Sequence, residues 1–425
     1  MKKTISIGYI GLGRRGMYFL ENCLVDMPDV KIAAICDLNP DKINKTINLL
    51  LEKGHPMPAV FSDYHAMLQM QELDAVVIMT NWTGRVRCAI DCMEAGKYAA
   101  IEVGCAFDLS ECYALVDAYE RTGVPVMMLE NCCYGRREMM ALRMVKEGLF
   151  GEIIQCSGAY RHYLNSEELF KKNDDGTYDT DHYRLQEYAH HNCEIYPTHD
   201  LGPISKVLGI NRGNRMLSLT SYSTKSRGLE TYVRDHVSPE HPEYNTHFIQ
   251  GDIVTTIITC SGGEQIILTL DNTLPRPFYS RDFTVRGTKG MCVESTGDVG
   301  TFYLDGMEEP VFNNEKEFYE KYDHPLHADY ARFEAKGGHG GIDWLVMRAF
   351  FESVKHGTQT PIDVYDTAAW LAIGPLSEAS IAAGSIPVAI PDFTRGKWYR
   401  REPAIFGKYS LDLICDDPDT PIFPE

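Results

Sequence analysis

A glycine-rich run near the start of the chain limits the possible folds more than any other feature. Residues 11–16 read GLGRRG and follow an apolar stretch, residues 6–10, that predicts a short β-strand. Residues 17–24 then predict a helix and residues 31–36 a second strand, which ends at Asp37. A strand, G-x-G-x-x-G, a helix, a second strand and an acidic residue, in this order, are typical of a dinucleotide-binding unit.

Each glycine of this run has a separate physical role in such a unit. Gly11 makes the tight turn, Gly13 lets the backbone approach a pyrophosphate, and Gly16 lets the helix pack closely on the strand. The helix N-terminus offers free N–H groups and a partial positive charge to the phosphates. Asp37 can accept hydrogen bonds from both ribose hydroxyls and would repel a 2′-phosphate, so the motif favours NAD over NADP.

Length, charge and cysteine usage exclude several classes of protein. At 425 residues the chain is expected to form two or three domains, and 44% apolar residues are enough to build their cores. The net charge of −19 argues against nucleic acids and anionic membranes as partners. The 13 cysteines show no metal-binding spacing, and the first strand leaves no room for a signal peptide. These features predict a cytoplasmic protein with reduced thiols, no metal and no membrane span.

The pattern of predicted elements divides the chain into parts. Strands and helices alternate up to residue 130, which predicts a doubly wound parallel sheet, an NAD-binding Rossmann domain over residues 1–130. Residues 131–400 are rich in segments with period-two alternation, which predict an α+β substrate-binding domain with a mostly antiparallel sheet. The composition of residues 401–425 predicts a C-terminal arm. The fold class is therefore α/β for the first domain and α+β for the second.

Three short motifs in the second part of the chain are specific in combination. They are YPTH at residues 196–199, GHGG at residues 338–341 and PDFTRG at residues 391–396. Together with the two-domain pattern, they resemble the Gfo/Idh/MocA oxidoreductases and, within them, the NAD-dependent glycoside hydrolases of family 109, typified by α-N-acetylgalactosaminidase. Many dehydrogenases of that superfamily carry Glu-Lys-Pro after the fifth strand. This chain has EVG at residues 102–104, which lacks the lysine and resembles the glycosidase branch.

The motif and the resemblance together imply a set of site residues. NAD would be held by Gly11, Gly13, Arg15, Gly16, Asp37, Asn81, Trp82, Arg85, Glu102, Val103 and Asn131. A small-molecule glycoside or sugar would contact Tyr160, Arg184, Tyr196, Pro197, Thr198, His199 and Tyr279. His199 and Tyr196 are the candidate catalytic residues, because a neutral imidazole or an activated phenol can accept a proton from a sugar hydroxyl. If a helix begins after Pro197, these two side chains share one of its faces.

The resemblance also implies a reaction and an assembly. The sugar would be oxidised transiently at C3, the C1 substituent eliminated across C1–C2, water added at C1 and the ketone reduced again, so that NAD is not consumed. Assembly as a homo-oligomer is expected on the same ground. Glu102 and Glu130 end predicted strands on the cofactor side and could orient other groups. Two alternatives remain open: a sugar or cyclitol dehydrogenase that releases NADH, and a non-catalytic NAD sensor.

Overall fold

Two β-sheets organise the chain. They are seen in a computed structural model that describes residues 4–173, 176–178, 182–295, 299–308, 311–327, 337–403 and 407–415. Residues 404–406 and 416–425 of the predicted C-terminal arm lie outside the described residues. Among the described helices, none is both long enough and apolar enough to cross a bilayer.

The first sheet contains six parallel strands in the order β3-β2-β1-β4-β5-β6. Its strands are β1 (Ile5–Ile10), β2 (Val30–Cys36), β3 (Ala59–Phe61), β4 (Ala75–Ile78), β5 (Tyr98–Ile101) and β6 (Val126–Met128). β4 is buried along its whole length, as expected for a strand covered on both faces. The strand order reverses between β1 and β4, and open α/β sheets bind ligands at the carboxyl ends of the strands at such a point. The predicted Rossmann-like fold is confirmed.

Helices connect these strands, and local signals set their ends. They are α1 (Arg14–Phe19), which continues as a π-helical turn (Leu20–Leu24), α2 (Pro40–Glu52), α3 (Tyr64–Leu68), α4 (Arg85–Glu94) and α5 (Leu109–Thr122). The side chain of Asn39 accepts hydrogen bonds from the N–H groups of Asp41 and Lys42 and so caps α2. Gly123 ends α5 with a positive φ of 69°.

The second sheet contains eight strands in the order β13-β12-β11-β7-β10-β9-β8-β14. Only the β7–β10 pair is parallel among the described pairings, so the predicted mostly antiparallel sheet is confirmed. The strands are β7 (Ile153–Arg161), β8 (Met216–Ser223), β9 (Ile253–Cys260), β10 (Gln265–Asp271), β11 (Thr284–Gly287), β12 (Gly290–Ser295), β13 (Val299–Leu304) and β14 (Val388–Ala389).

Eight further helices accompany this sheet in the described part of the chain. They are α6 (Arg136–Lys146), α7 (Tyr183–His190), α8 (Thr198–Val207), α9 (Gly228–His236), α10 (Glu315–Tyr322), α11 (Ile342–His356), α12 (Val364–Leu371) and α13 (Ile373–Ala382). α8 packs closely on β7, because a Cβ added at Gly158 would lie only 2.7 Å from Cβ of Asp200. This packing fixes the start of α8 beside the end of β7.

The second part of the chain also returns to the first sheet. Arg348 of α11 forms an ion pair with Asp29 at 2.8 Å, and Tyr365 of α12 donates a hydrogen bond to Glu120 of α5 at 3.0 Å. Residues 407–415 pack there as well, since the hydroxyl of Tyr134 donates to the carbonyl of Tyr409 at 3.0 Å. At the start of α11, Asp343 forms an ion pair at 3.0 Å with Arg15, which lies beside the glycine-rich turn after β1.

Candidate active site

The turn between β1 and α1 is tight on its inner side and open on its outer side. Gly11 has a φ of 92°, and a Cβ added at Gly16 would lie 2.1 Å from the carbonyl oxygen of Gly11. By contrast, a Cβ added at Gly13 would meet no atom within 4 Å. The backbone is closely packed at Gly11 and Gly16, and the space around Gly13 is open. A bound pyrophosphate requires this arrangement.

Asp37 is held in a fixed position at the end of β2. Its Oδ2 accepts a hydrogen bond from the N–H of Leu12 at 2.6 Å, and its Oδ1 accepts one from the N–H of Asn39 at 2.8 Å. The half-buried carboxylate therefore lies in a fixed position next to the glycine-rich turn. Its position fits acceptance of ribose hydroxyls and exclusion of a phosphate.

Trp82 links the carboxyl ends of β4 and β5. Its indole N–H donates to the carbonyl of Val103 at 3.1 Å. The ring lies directly on Gly104, where φ is 147° and an added Cβ would approach the indole nitrogen to 2.1 Å. The EVG segment, which replaces the Glu-Lys-Pro of many dehydrogenases, thus serves as the support for this tryptophan.

Arg85 lies behind the same strand ends. It is buried, and its guanidinium donates to the carbonyls of Thr80, Glu102 at 2.7 Å and Val103 at 2.6 Å. Burial lowers the pKa of this guanidinium. Arg85 therefore ties β4 to β5, and its predicted contact with the cofactor stays a prediction. Asn81, from the same loop, is exposed.

Two buried polar atoms at this edge have no hydrogen-bond partner within the described residues. They are Oγ1 of Thr80 and Oε2 of Glu102. The other oxygen of Glu102 accepts from Nε of Arg15 at 3.1 Å. Buried polar atoms are normally paired, so this edge fits a polar ligand. The residues present thus suit the dinucleotide that the motif predicts.

An aromatic pocket adjoins this edge. The ring centres of Tyr160 and Tyr196 are 4.3 Å apart, and that of Tyr196 lies 5.9 Å from Trp82 and 5.0 Å from His199. Tyr279, between β10 and β11, lies 6.1 Å from Tyr160 and is 42% exposed. The fold thus brings together residues from β7, from the start of α8 and from two loops, as the resemblance implied.

Arg184 of α7 lies at the wall of this aromatic pocket. Its Cζ is 4.9 Å from the ring centre of Tyr196 and 5.4 Å from that of Trp82. The side chain is buried, and within the described residues its Nη1 has no hydrogen-bond partner. Stacked on two aromatic faces, the guanidinium keeps donors available for an acceptor oxygen of a ligand.

The pocket environment also sets the protonation of its phenols. Burial raises the pKa of Tyr160 to about 12, although the nearby charge of Arg184 opposes this. Burial likewise raises the pKa of Tyr196 well above the usual tyrosine value. Both phenols are therefore hydrogen-bond donors near neutral pH.

His199 is oriented by a buried carboxylate. Its Nδ1 is 2.8 Å from Oε1 of Glu130, which also accepts from the N–H of Cys132 at 3.0 Å. Burial alone would raise the pKa of Glu130, but the pairing with His199 outweighs this and lowers it. An ionised carboxylate only accepts hydrogen bonds, so Nδ1 carries the hydrogen, and in the neutral imidazole Nε2 is the nitrogen that can accept a proton.

The start of α8 places the remaining predicted substrate residues. Pro197 precedes the helix with φ −73°, and both Pro197 and Thr198 are buried. Because α8 begins at Thr198, Tyr196 lies just before the helix, and its ring centre is 5.0 Å from that of His199. The roles predicted for these residues stay predictions, but the structure brings them together.

Glu130, Cys132 and His199 are also the group of possible metal ligands found within the described residues. Their ligand atoms lie within 4.8 Å of one another. The two hydrogen bonds accepted by Oε1 of Glu130 already account for this proximity. Within this group, Glu130 and His199 form a carboxylate–histidine pair.

One residue near the cofactor edge was not identified from the sequence. Asp343, in the first turn of α11, is fully buried and binds both Arg15 and Asn131. It follows the GHGG motif by two positions, and that run was the only local signal.

Two family models match the chain and together cover most of it. Residues 5–130 match the oxidoreductase family with an NAD-binding Rossmann fold. Residues 134–400 match the C-terminal domain of glycosyl hydrolase 109.

Full-length relatives match over nearly the whole chain. An alpha-N-acetylgalactosaminidase of Tannerella forsythia is 39% identical over 418 residues, covering 94% of this chain and 88% of the relative. A glycosyl hydrolase family 109 protein of Parabacteroides distasonis is 38% identical over 422 residues, covering 94% and 89%.

Solved structures show the same fold at lower identity. An NAD-binding oxidoreductase of Klebsiella pneumoniae superposes with a TM-score of 0.69 at 14% identity, covering 92% of this chain and 99% of that one. Levoglucosan dehydrogenase in complex with NADH and levoglucosan gives a TM-score of 0.67 at 17% identity, covering 91% and 100%.

Proposed function

The chain belongs to glycosyl hydrolase family 109, and from this we propose that it is an NAD-dependent glycosidase that oxidises its sugar substrate only transiently. The observation that carries the proposal is the Glu130–His199 pair, which lies in an aromatic pocket joined through Trp82 to the cofactor edge of the Rossmann-like sheet. A base between the sugar pocket and the cofactor edge can take the proton of a sugar hydroxyl while its carbon gives up hydride to the cofactor. The two-carboxylate mechanism of ordinary glycosidases is then unnecessary.

The geometry supports a division of roles at the sugar. Nε2 of His199 would take the proton of the C3 hydroxyl, because its Nδ1 hydrogen is bound by Glu130. Bound NAD, held by the glycine-rich turn and Asp37, would supply the hydride acceptor at C3 and return the hydride at the end of the cycle. Protonated Tyr160 and Tyr196 would donate hydrogen bonds to the oxygens that gain negative charge.

A ketone at C3 makes the C2 hydrogen acidic, so a base can take that proton while the C1 substituent leaves as the protonated aglycone. Water would then add across the resulting C1–C2 double bond, with its oxygen at C1 and a hydrogen returned to C2. The positive charge of Arg184 would favour the enolate-like charge that forms between C2 and C3. Since two curated names among the relatives are alpha-N-acetylgalactosaminidase, we propose an α-linked N-acetylgalactosaminide as the substrate. The acetamido oxygen would suit the unpartnered donor of Arg184. We also propose that the protein is cytoplasmic and assembles as a homo-oligomer.

An assay on a matched pair of substrates tests this proposal. The α and β anomers of an aryl N-acetylgalactosaminide would be incubated in deuterated water, with and without added NAD, while aglycone and NADH are followed together. We expect aglycone release from the α anomer, no net NADH, and deuterium at C2 of the product. Stoichiometric NADH without aglycone would instead establish a dehydrogenase, the alternative that the fold also allows.

A further inference from the structure

Asp343 lies at the centre of a polar network that joins the two parts of the chain. Its carboxylate accepts hydrogen bonds from Nη1 and Nη2 of Arg15 at 3.0 and 3.1 Å, and from Nδ2 of Asn131 at 2.6 Å. His339 is a third partner and makes the fourth contact, with its Nδ1 2.8 Å from Oδ2. Arg15 lies in the first turn of α1, and its Nε binds Glu102 of the first sheet at 3.1 Å. One buried carboxylate therefore connects α11 to the cofactor turn and to the segment after β6.

The loop before α11 is shaped to deliver this carboxylate. His339, Gly340 and Gly341 have φ values of 53°, 66° and 89°, an unusual run of three left-handed residues. A Cβ added at Gly338 would lie 2.1 Å from the hydroxyl oxygen of Tyr18 in α1. The left-handed run and the close approach at Gly338 seat the loop on α1, and the bond to Asp343 holds His339 in a backbone conformation that a non-glycine residue seldom adopts.

The network stays charged in the folded protein. Burial would raise the pKa of Asp343, but Arg15 and His339 outweigh it and hold this pKa well below its usual range. The guanidinium of Arg15 packs on the ring of Phe19, with its Cζ 4.1 Å from the ring centre. A carboxylate that is buried and ionised binds its donors strongly, so the first turn of α1 is fixed in place.

We propose that Asp343 is a positioning residue that retains the dinucleotide by holding Arg15 and Asn131 against it. This inference rests on the proposed function, in which the same cofactor must remain bound between the loss and the return of hydride. Release of the reduced cofactor in mid-cycle would leave an oxidised sugar and an enzyme that cannot turn over. A buried clamp between α1 and α11 opposes such release, because the cofactor turn cannot move away from α11 without breaking both hydrogen bonds from Arg15 to this carboxylate.

The test compares Asp343→Asn with a matched control, a carboxylate before β2 that contacts the same helix. Asp29→Asn also removes a charged contact between α11 and the first sheet, but on Arg348 and away from the cofactor turn. Each purified variant would be loaded with NADH and mixed with excess NAD, and the loss of bound NADH fluorescence would give the dissociation rate. We expect D343N to release NADH at least about tenfold faster than the parent, and D29N to stay within about twofold of it.

A turnover readout separates positioning from general loosening. In D343N, glycoside turnover should decay with time as reduced cofactor is lost, and added NAD should restore it, whereas D29N should need no such rescue. His339→Ala removes one exposed donor and leaves the core intact, so it provides a second variant if D343N does not fold. We expect it to accelerate release in the same direction by a smaller factor.

The outcomes are distinct for the two proposals. An unchanged NADH dissociation rate in both D343N and H339A, with tight binding in the parent, would overturn the role of Asp343 and leave the proposed function standing. Equal acceleration in D343N and D29N would overturn it too, since general packing would then control release. A parent chain that binds no NADH would overturn both proposals.

Discussion

The cofactor turn and the aromatic pocket are built in different ways. The turn is local: Gly11 and Asp37 belong to one βαβ unit, and the carboxylate of Asp37 accepts hydrogen bonds from N–H groups of that same unit. The pocket is assembled at long range, because Glu130 and His199 are 69 residues apart and Trp82 and Tyr279 come from different parts of the chain. The chain therefore carries a general cofactor module beside a site whose chemistry depends on tertiary packing.

This difference indicates how the two halves should respond to mutation. Changes in the pocket should remove turnover and leave cofactor binding nearly intact, whereas changes in the turn should alter which dinucleotide is bound. Two residues are exceptions to this separation. Trp82 contacts both the pocket and the strand ends of the first sheet, and Asp343 of the second part of the chain binds Arg15 of the first. The following variants measure how separate the two halves are.

The largest effect is expected for His199→Ala. Loss of the base should lower kcat by at least about 10³-fold, because proton removal from the sugar hydroxyl then lacks an acceptor. NADH affinity should stay within about twofold of the parent, since the pocket and the turn share no hydrogen bond through His199. Steady-state assays measure kcat, and fluorescence titration measures the affinity for NADH. Retained turnover would remove His199 from the mechanism.

Glu130→Gln should come next. A glutamine can donate to Nδ1 and so force the imidazole into the tautomer whose Nε2 carries the hydrogen, which is the wrong form for a base. We expect kcat to fall by about 10²-fold or more with KM little changed. The Glu130→Asp variant keeps the charge with a shorter side chain, and it should recover part of the rate. Equal losses in both variants would indicate that only packing had been disturbed.

Asp37→Ala tests the cofactor turn. Loss of the carboxylate should weaken NAD binding by about 10- to 100-fold and relax discrimination against NADP. Asp37→Asn separates two causes, because the amide oxygen can still accept from the N–H of Leu12 while the charge that repels a phosphate is gone. Titration of each variant with both cofactors is the measurement. An unchanged preference would show that another residue contacts the ribose.

The sequence predicted the first sheet well because its signals are local. Buried strands, glycine turns and caps act within a few residues, so the parallel sheet followed from the alternation of strands and helices, and the positions of Gly11, Gly16 and Asp37 from the first βαβ pattern. The second sheet was predicted as a type but not in its order. Its β7–β10 parallel pair joins segments 110 residues apart, and no local pattern indicates that pairing.

The site was harder to predict, for the same physical reason. Tyr196, just before α8, and His199, in its first turn, lie close together, and their short spacing in the sequence already indicated this. The predicted contact of Arg85 with the nicotinamide stays a prediction, but the sequence did not indicate that its donors bind the carbonyls at the ends of β4 and β5. Asp343 was absent from the expected site, because its partner Arg15 lies 328 residues away.

The smallest effect, on stability alone, comes from Glu194, a second buried carboxylate beside the pocket. Unlike Glu130, its two oxygens have no hydrogen-bond partner within the described residues, and burial raises its pKa from 4.5 to about 8. The native state thus holds a proton that the unfolded chain loses, so the stability present below about pH 4.5 declines as the pH rises to about 8.

Glu194→Gln removes that titration while keeping the shape of the side chain. Its stability advantage over the parent should therefore grow from about pH 5 to about pH 8 and then level off, with turnover largely retained. Urea unfolding across that range measures the effect, and Glu72→Gln on the exposed surface serves as the control, which should show no such trend. Parallel pH profiles for E194Q and the parent would mean that Glu194 is ionised and paired in the folded protein. The contrast with Glu130 would then disappear, and the pocket would contain two charged carboxylates instead of one.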